Sequence, residues 1–277
     1  MKTQIEEKSK VAYCGTQGSF SEQATRKLFP GGTLIPCPSF RDAYALAAKG
    51  EADYALLPLE NSYAGEVSAT MDLLYHGDLA VSDLYEMKVV QNLVGIKGAT
   101  LADVKTVISH PQALAQCAEY IAEKHFAEIN AENTAFAAKT VAERGSREFA
   151  AIASKDCAEL YGLTVLAEDI AESRENTTRF ALLSPKAPEK RAGERLILLF
   201  AVRDRSGALL DALKVIAKYG FNMKSLHSRP MKEKAWKFYF YVEAEGEGEE
   251  DALLRDLASS CTDAKIAGRF LPDLHII

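Results

Sequence analysis

Between residues 10 and 185, short apolar runs alternate with amphipathic ones, and glycine or proline marks most joins. Residues 11–14 are apolar and run into Gly15-Thr16-Gln17-Gly18-Ser19, which predicts a strand followed by a helix starting at Ser19. Ser19 and Glu22 have capping-box spacing, so hydroxyl and carboxylate can each satisfy an orphan amide. Residues 40–49 read as a helix stopped by Gly50, and residues 54–57 as a short strand ending at Pro58. Residues 88–96 and 104–108 read as further strands. Residues 111–126 predict one helix, and residues 135–144 a second, ended by Gly145. Residues 150–153 read as a buried strand and 155–161 as a helix ended by Gly162. Strands alternating with helices predict α/β layers on a mostly parallel sheet.

The pattern then breaks. Residues 184–194 hold two prolines, a glycine and five charges with little to bury, the composition of a linker. Beyond it, residues 196–202 read as a strand, and residues 208–219 as a helix carrying Leu209, Leu213 and Ile216 on one face and ended by Gly220. Residues 223–227 and 236–244 read as strands, the second placing Phe238, Phe240 and Val242 on one face. A helix over 251–260 and a strand over 264–271 complete a β-α-β-β-α-β order, the ferredoxin-like arrangement.

Composition narrows the function classes. Of 277 residues, 48% are hydrophobic and 26% charged, a globular balance, and the net charge of −6 argues against a nucleic-acid groove. The charged start lacks the apolar core of a secretory signal, and no apolar run reaches the ~20 residues of a membrane helix. Five scattered cysteines with no C-x-x-C pair are expected to be reduced thiols, which points to the cytoplasm. There is no P-loop, dinucleotide or zinc-binding pattern, so no cofactor and no metal are expected.

Four polar segments sit at expected strand ends, where open α/β sheets bind ligands. The first is the stretch from Gly15 to Glu22, whose glycines admit a close ligand and whose helix offers free amides. The second is Glu60-Asn61-Ser62 with Gly65-Glu66-Val67. The third is Ser109-His110-Pro111-Gln112 through Gln116, in which Ser109 or His110 would cap the helix and the two glutamines share a face. The fourth is Glu175-Asn176-Thr177-Thr178-Arg179-Phe180, where hydroxyls beside an arginine suit an anion. Each also has a plain structural reading: a capped helix, a polar turn, or a loop before an edge strand.

Taken together and in this order, ahead of a ferredoxin-like module, Glu60-Asn61-Ser62, Ser109-His110-Pro111-Gln112-Ala113-Leu114 and Thr178-Arg179-Phe180 resemble the prephenate dehydratase family over about residues 11–272. The resemblance implies two α/β lobes, similar in outline to periplasmic binding proteins, with the active site in the cleft. It implies a catalytic domain over 9–185 (one lobe about 9–87 and 173–185, the other about 88–172), a linker over 186–194 and a regulatory ACT domain over 195–277. The chain would cross between lobes near 86–90 and 168–175.

The reaction implied is loss of carbon dioxide and water from prephenate to give phenylpyruvate. By motif match Thr178 would donate to the leaving hydroxyl and Glu60 would supply or orient that proton. Asn61, Ser109, Gln116 and the Gly18 and Ser19 amides would hold carboxylates or the groups around them. Ser62, His110, Gln112, Thr177 and Phe180 would join the substrate site, and Arg179 would pair with a substrate carboxylate or brace its loop. In the C-terminal module, Gly207-Ala208-Leu209-Leu210 and Ser228-Arg229-Pro230 resemble the segments with which such ACT domains bind L-phenylalanine across a dimer interface. Asn222 and His227 are grouped with them. Family members usually have Glu where His227 stands, often Val where Leu210 stands, and commonly His where Gln91 stands. A homodimer or homotetramer is expected. Arogenate dehydration, a non-enzymatic two-lobed amino-acid or keto-acid sensor, and the two-lobed ATP phosphoribosyltransferases are the competing readings. The last lacks any matching phosphate signature here.

Overall fold

The computed structural model describes residues 8–173, 175–187, 190, 192–232, 236–272 and 275–277. The charged start up to residue 7, and residues 188, 189 and 191 of the expected linker, lie outside the described residues.

The chain enters a first sheet through β1 (Lys10–Cys14), α1 (Phe20–Leu28), β2 (Thr33–Cys37), α2 (Phe40–Ala48), β3 (Tyr54–Asn61), β4 (Gly65–Glu66), α3 (Ser68–His76) and β5 (Ala80–Lys88). It then builds a second sheet from β6 (Asn92–Gly95), β7 (Thr106–Ser109), α4 (Pro111–Gln116), α5 (Ala118–Glu123), β8 (Ala127–Asn130), α6 (Thr134–Arg144), β9 (Phe149–Ala153), α7 (Lys155–Leu160) and β10 (Thr164–Ala167). β11 (Thr177–Ser184) returns to the first sheet. The C-terminal module follows as β12 (Arg195–Val202), α8 (Ala208–Lys218), β13 (Asn222–Pro230), β14 (Phe238–Glu245), α9 (Glu250–Leu257) and β15 (Cys261–Phe270), with a short β16 (His275–Ile276). The βαββαβ order is as the pattern predicts.

The sheets are more mixed than expected. β2, β1 and β3 run parallel, but the returning β11 is antiparallel to both β3 and β5. In the second sheet β8, β7 and β9 are parallel, while β6 runs antiparallel to both of its neighbours, β9 and β10. Both departures follow from the chain leaving one sheet and re-entering it.

Three further readings are corrected. The run 88–96 is not one strand. β5 ends at Lys88 and β6 starts at Asn92, and β5 itself hid behind the polar Ser82, Asp83 and Glu86. Residues 111–126 form two helices broken at Cys117. Glu172 explains the break: its amide donates to the Gln116 carbonyl at 2.9 Å, and its carboxylate accepts from the Glu119 amide at 3.1 Å, so it starts a new helix. Finally, β3 does not stop at Pro58. Phe180 pairs with Pro58 and Arg179 with Glu60, leaving Leu59 as a bulge, the setting in which a strand tolerates proline.

The first sheet and the C-terminal sheet are continuous. β15 meets β5 where Gly268 lies against Val81. A Cβ on Gly268 would fall 2.3 Å from the Val81 carbonyl oxygen, so only glycine permits the junction. α8 and α9 cover one face of the module around Leu198, Phe200 and Val242. The other face carries Tyr239 and Tyr241, both fully buried in a core shared with Met71, Leu74 and Tyr75 of α3. Tyr239 stacks on Tyr75 with ring centroids 4.2 Å apart. Each buried tyrosine contributes roughly 2–3 kcal/mol of transfer free energy to this seat. Among the described residues no helix is long and apolar enough to cross a membrane.

Candidate active site

Two crossovers, 89–91 and 168–176, join the sheets and are bonded to each other. The Ile170 amide donates to the Gln91 carbonyl at 2.9 Å, and the Val89 amide to the Asn176 carbonyl at 2.8 Å. Beside them a cavity of about 280 Å³ opens between the lobes. The first lobe contributes Ser19, Phe20, Ser21, Asn61 and Thr178, and the second His110, Gln112, Gln116, Asn133 and Thr134. Larger hollows exist, but one of about 670 Å³ near Arg269 is walled by charges already paired, and it gathers no polar groups from the two lobes. On the far side of the cleft the lobes touch. The Gly18 carbonyl accepts from Gln23 at 2.8 Å and Cys157 at 3.1 Å, and Gln23 also donates to Ser154 at 2.8 Å.

A directional chain of side-chain amides runs through the wall. The Tyr63 and Ala64 backbone amides donate to Asn61 Oδ1 at 3.1 and 3.0 Å, which fixes the orientation of that side chain. Asn61 Nδ2 then faces three acceptors: Asn176 Oδ1 at 2.8 Å, the Thr177 carbonyl at 3.2 Å and Thr178 Oγ1 at 3.0 Å. Asn176 Nδ2 donates to Gln116 Oε1 at 3.0 Å, and Gln91 Nε2 donates to the same oxygen at 3.1 Å. Because Thr178 Oγ1 accepts from Asn61, its own proton is left for the cavity it lines.

His110 caps α4: its Nδ1 accepts from the Gln112 amide at 3.2 Å, and burial pushes its pKa below the ordinary imidazole value. It stands neutral at pH 7, with the remaining N–H on Nε2. Cys14 also lines the cavity. Burial, then the neighbouring Cys37, pushes its thiol up to about 11, so it is protonated at neutral pH. The nine-residue α1 and eleven-residue α6 both start at the cavity. Their first two amides have no partner within the helix, and Phe20, Ser21 and Thr134 present that end. Among the described residues no lysine or arginine lines the cavity.

Strand parity divides the expected residues. Asn61, Thr178 and Phe180 face the cavity together with Ser19, His110, Gln112 and Gln116. Glu60, Ser62, Thr177 and Arg179 lie on the opposite face of β3 and β11, around a second hollow with Glu86 and Lys88. There Arg179 meets Glu60 at 3.3 Å, Glu86 at 3.5 Å and Glu243 of β14 at 3.3 Å. Glu243 in turn accepts from the Tyr241 hydroxyl at 2.9 Å. Arg179 therefore links β3 and β5 to β14 of the C-terminal module. Ser62 is tied to the Glu175 carbonyl at 2.9 Å and the Thr177 amide at 3.0 Å. Ser109 is fully buried, donates to the Ile152 carbonyl at 2.7 Å and does not reach the cavity.

The Gly18 and Ser19 amides are spoken for. Gly18 donates to Glu22 at 3.1 Å and Ser19 to the Thr16 carbonyl at 3.1 Å. The expected capping box is thus shifted. Ser19 Oγ accepts from the Glu22 amide, but the Glu22 carboxylate reaches Gly18 rather than Ser19. Sequence reasoning missed Asn133 and Thr134, though an Asn-Thr pair opening a helix is a capping signal. It quoted Asn176 and Gln91 without placing them.

In the C-terminal module, Gly207, Ala208, Leu209, Leu210 and Ser228 line a hollow of about 470 Å³ with Phe238 and Phe240. His227 and Arg229 point the other way, toward the catalytic lobe. His227 Nδ1 contacts Glu66, and Arg229 lies 3.9 Å from Asp72 of α3. Asn222 and Pro230 sit at opposite ends of β13, away from the hollow's lining.

Comparison with known proteins agrees with this architecture. Residues 11–188 match the family described as "Prephenate dehydratase" and residues 196–261 the "ACT domain" family. The chain is 34% identical over 270 residues to a prephenate dehydratase of Methanocaldococcus jannaschii, covering 94% of this chain and 97% of that one. It is 36% identical over 250 residues to a bifunctional N-acyl-homoserine lactone acylase/prephenate dehydratase of Komagataeibacter europaeus, covering 89% of each. The structure of a prephenate dehydratase from Arthrobacter aurescens in complex with L-Phe superposes with a TM-score of 0.86 at 29% identity, covering 95% of this chain and 90% of that one. With a matching catalytic segment over more than half its length and a matching C-terminal module, the chain belongs to the prephenate dehydratase family and carries an ACT domain.

Proposed function

We propose that the protein is a carbon–oxygen lyase that converts prephenate to phenylpyruvate, with residues 9–185 as the catalytic domain, 186–194 as linker and 195–277 as a regulatory domain responding to L-phenylalanine. The observation that carries the reading is a cavity between the lobes in which Asn61 orients the Thr178 hydroxyl to donate, beside side-chain amides and two helix starts.

Prephenate carries two carboxylates and a ring hydroxyl. Departure of one carboxylate as carbon dioxide leaves its bonding pair in the ring, and the ring hydroxyl leaves as water with one proton taken up. Aromatisation drives the step, so the protein needs to orient and to donate, not to store electrons. Thr178 donates to the departing oxygen, and Asn61 holds Thr178 in the donating orientation. The two carboxylates suit the free amides at the starts of α1 and α6, with Gln112 and Asn133 beside them. With no arginine or lysine among the described wall residues, the substrate is held without a tight ion pair that would stabilise the departing carboxylate in the ground state.

The hollow beside Gly207–Leu210, floored by Phe238 and Phe240, suits an amino acid with an aromatic side chain. The unpaired edge of β13 suits side-by-side pairing in a homodimer or homotetramer. A cytoplasmic setting fits five free thiols. The test is direct: purified protein is given prephenate or arogenate, and phenylpyruvate or phenylalanine formation is followed with and without added L-phenylalanine. Conversion of prephenate, suppressed by L-phenylalanine, is expected. A folded protein that converts neither substrate refutes the reading.

A further inference from the structure

The amide chain through the cavity wall has a loose end. Its polarity is set at Asn61, whose Oδ1 is held by two backbone amides and so cannot exchange places with Nδ2. Asn61 must then donate to Asn176, Asn176 must donate to Gln116, and Gln116 must present its oxygen to both Asn176 and Gln91. Gln91 is therefore obliged to turn its Nε2 toward Gln116. Its own Oε1 is left buried and without a hydrogen-bond partner among the described residues, on a side chain that is 3% exposed and forms part of the cavity wall. A buried acceptor left unmatched costs about 1–3 kcal/mol, so it is a standing demand for a donor from whatever fills the cavity.

Prephenate with both carboxylates ionised has a single hydrogen-bond donor, its ring hydroxyl. The cavity wall offers that group a complementary pair: Thr178, whose proton is left for the cavity, and Gln91, whose buried Oε1 has no partner among the described residues. Resting on the prephenate reading above, we propose that Gln91 is a substrate-reading residue whose side-chain oxygen accepts from the ring hydroxyl while Thr178 donates to it. Polarising the O–H bond toward Gln91 makes the oxygen a better proton acceptor, which favours its departure as water. The same arrangement distinguishes substrate from product. Phenylpyruvate has lost the hydroxyl, so it leaves Gln91 Oε1 unmatched and is released more readily.

The experiment compares wild type, Gln91→Met and Gln91→His for prephenate kcat and KM and for the inhibition constant of phenylpyruvate, with thermal melts to confirm folding. Methionine keeps the bulk but removes both polar atoms. Neutral histidine keeps one donor for Gln116 and one acceptor for the ligand. Gln91→Met is expected to lower kcat/KM about tenfold, the loss of one neutral hydrogen bond, while phenylpyruvate inhibition stays within twofold. Gln91→His is expected to recover kcat/KM to within threefold of wild type. The proposal is overturned if Gln91→Met retains wild-type kcat/KM, if phenylpyruvate binding weakens by the same factor as catalysis, or if Gln91→His does not recover. An active wild type with an indifferent Gln91→Met sinks this proposal alone. A wild type inert toward prephenate sinks the functional reading and this with it.

Discussion

Asn61→Asp changes one atom's chemistry and almost no volume, yet it should reverse the polarity on which the site depends. Asn61 Nδ2 serves three acceptors, Asn176 Oδ1, the Thr177 carbonyl and Thr178 Oγ1, and Asn61 is 6% exposed. An aspartate oxygen there meets all three as a fellow acceptor. The Thr177 carbonyl keeps the Ser62 amide at 2.9 Å, so Asn176 Oδ1 is the acceptor left without its donor, at about 1–3 kcal/mol of stability. Thr178 fares differently, because it can turn. Its proton would go to the carboxylate in a charge-assisted bond and leave the cavity. Losing one preorganised donor lowers turnover by about 10²–10³.

The pH dependence sharpens the prediction. Burial among acceptors disfavours the charged form, so the new carboxyl should have a folded pKa above its unfolded value of about 3.9. The native state then binds more protons than the unfolded state, and this contribution to stability is lost as pH rises through the folded pKa. The variant's melting temperature should therefore fall between pH 5 and pH 8 relative to wild type. Turnover should recover in part on the acid side, where the introduced carboxyl, once protonated, can donate to one acceptor again. Prephenate kinetics and melts across that range measure both. A variant with kcat within threefold of wild type at pH 7, or a melting temperature that rises with pH faster than wild type, would falsify the directional chain.

Other perturbations test other parts. Arg179→Met leaves Glu60, Glu86 and Glu243 facing one another, so the melting temperature should drop by several degrees; KM for prephenate should stay within threefold, whereas a tenfold rise would put the guanidinium on the substrate after all. His110 has a folded pKa lowered by burial, so its contribution to stability is present above the ordinary imidazole value of about 6.5 and lost as pH falls through the folded pKa. His110→Asn keeps a capping acceptor without the titration and should flatten the fall in melting temperature between pH 6.5 and pH 5; an unchanged slope would assign that fall elsewhere. Cys14, with its thiol pushed up to about 11, should resist iodoacetamide at pH 7.5 while activity persists, and mass spectrometry showing rapid labelling of Cys14 at that pH would contradict the assignment.

Much of the site was legible because capping chemistry is local. Ser19, His110 and Asn61 stand where a helix or turn must find an acceptor, and Gln112 and Gln116 share a helix face by spacing alone. The face of each strand residue was not legible. Reading Pro58 as a strand end turned Glu60-Asn61-Ser62 into a loop, and a loop assigns no faces. Once the bulge at Leu59 carries the strand onward, alternation puts Asn61 in the cavity and Glu60 behind it. The break at Cys117 was equally invisible, because its cause, Glu172, lies on the second crossover. In the C-terminal module the regular periodicity made the six βαββαβ elements visible, though not the short β16. The second face of β14 did not stand out, since Tyr239 and Tyr241 alternate with the more obviously apolar Phe240 and Val242.

The same alternation gives the C-terminal module a short mechanical path to the chemistry. A strand residue cannot change face without a register slip, so Thr178 and Arg179 are held on opposite sides of β11 by one backbone. Arg179 is gripped by Glu243 of the C-terminal module, and a shift in β14 bears directly on the residue next to Thr178. A second contact converges on the same place. His227 of β13 meets Glu66, which pairs through β4 with Glu60, the neighbour of Asn61. Coupling energies between regulatory and catalytic sites are typically about 1–3 kcal/mol, within the reach of rearranging one or two such contacts. Because these contacts all lie behind the cavity, a ligand on the C-terminal module has no need to enter the cleft to alter it. The 3.0 Å contact between Asn61 and Thr178 is where such a displacement would act on the proposed donor.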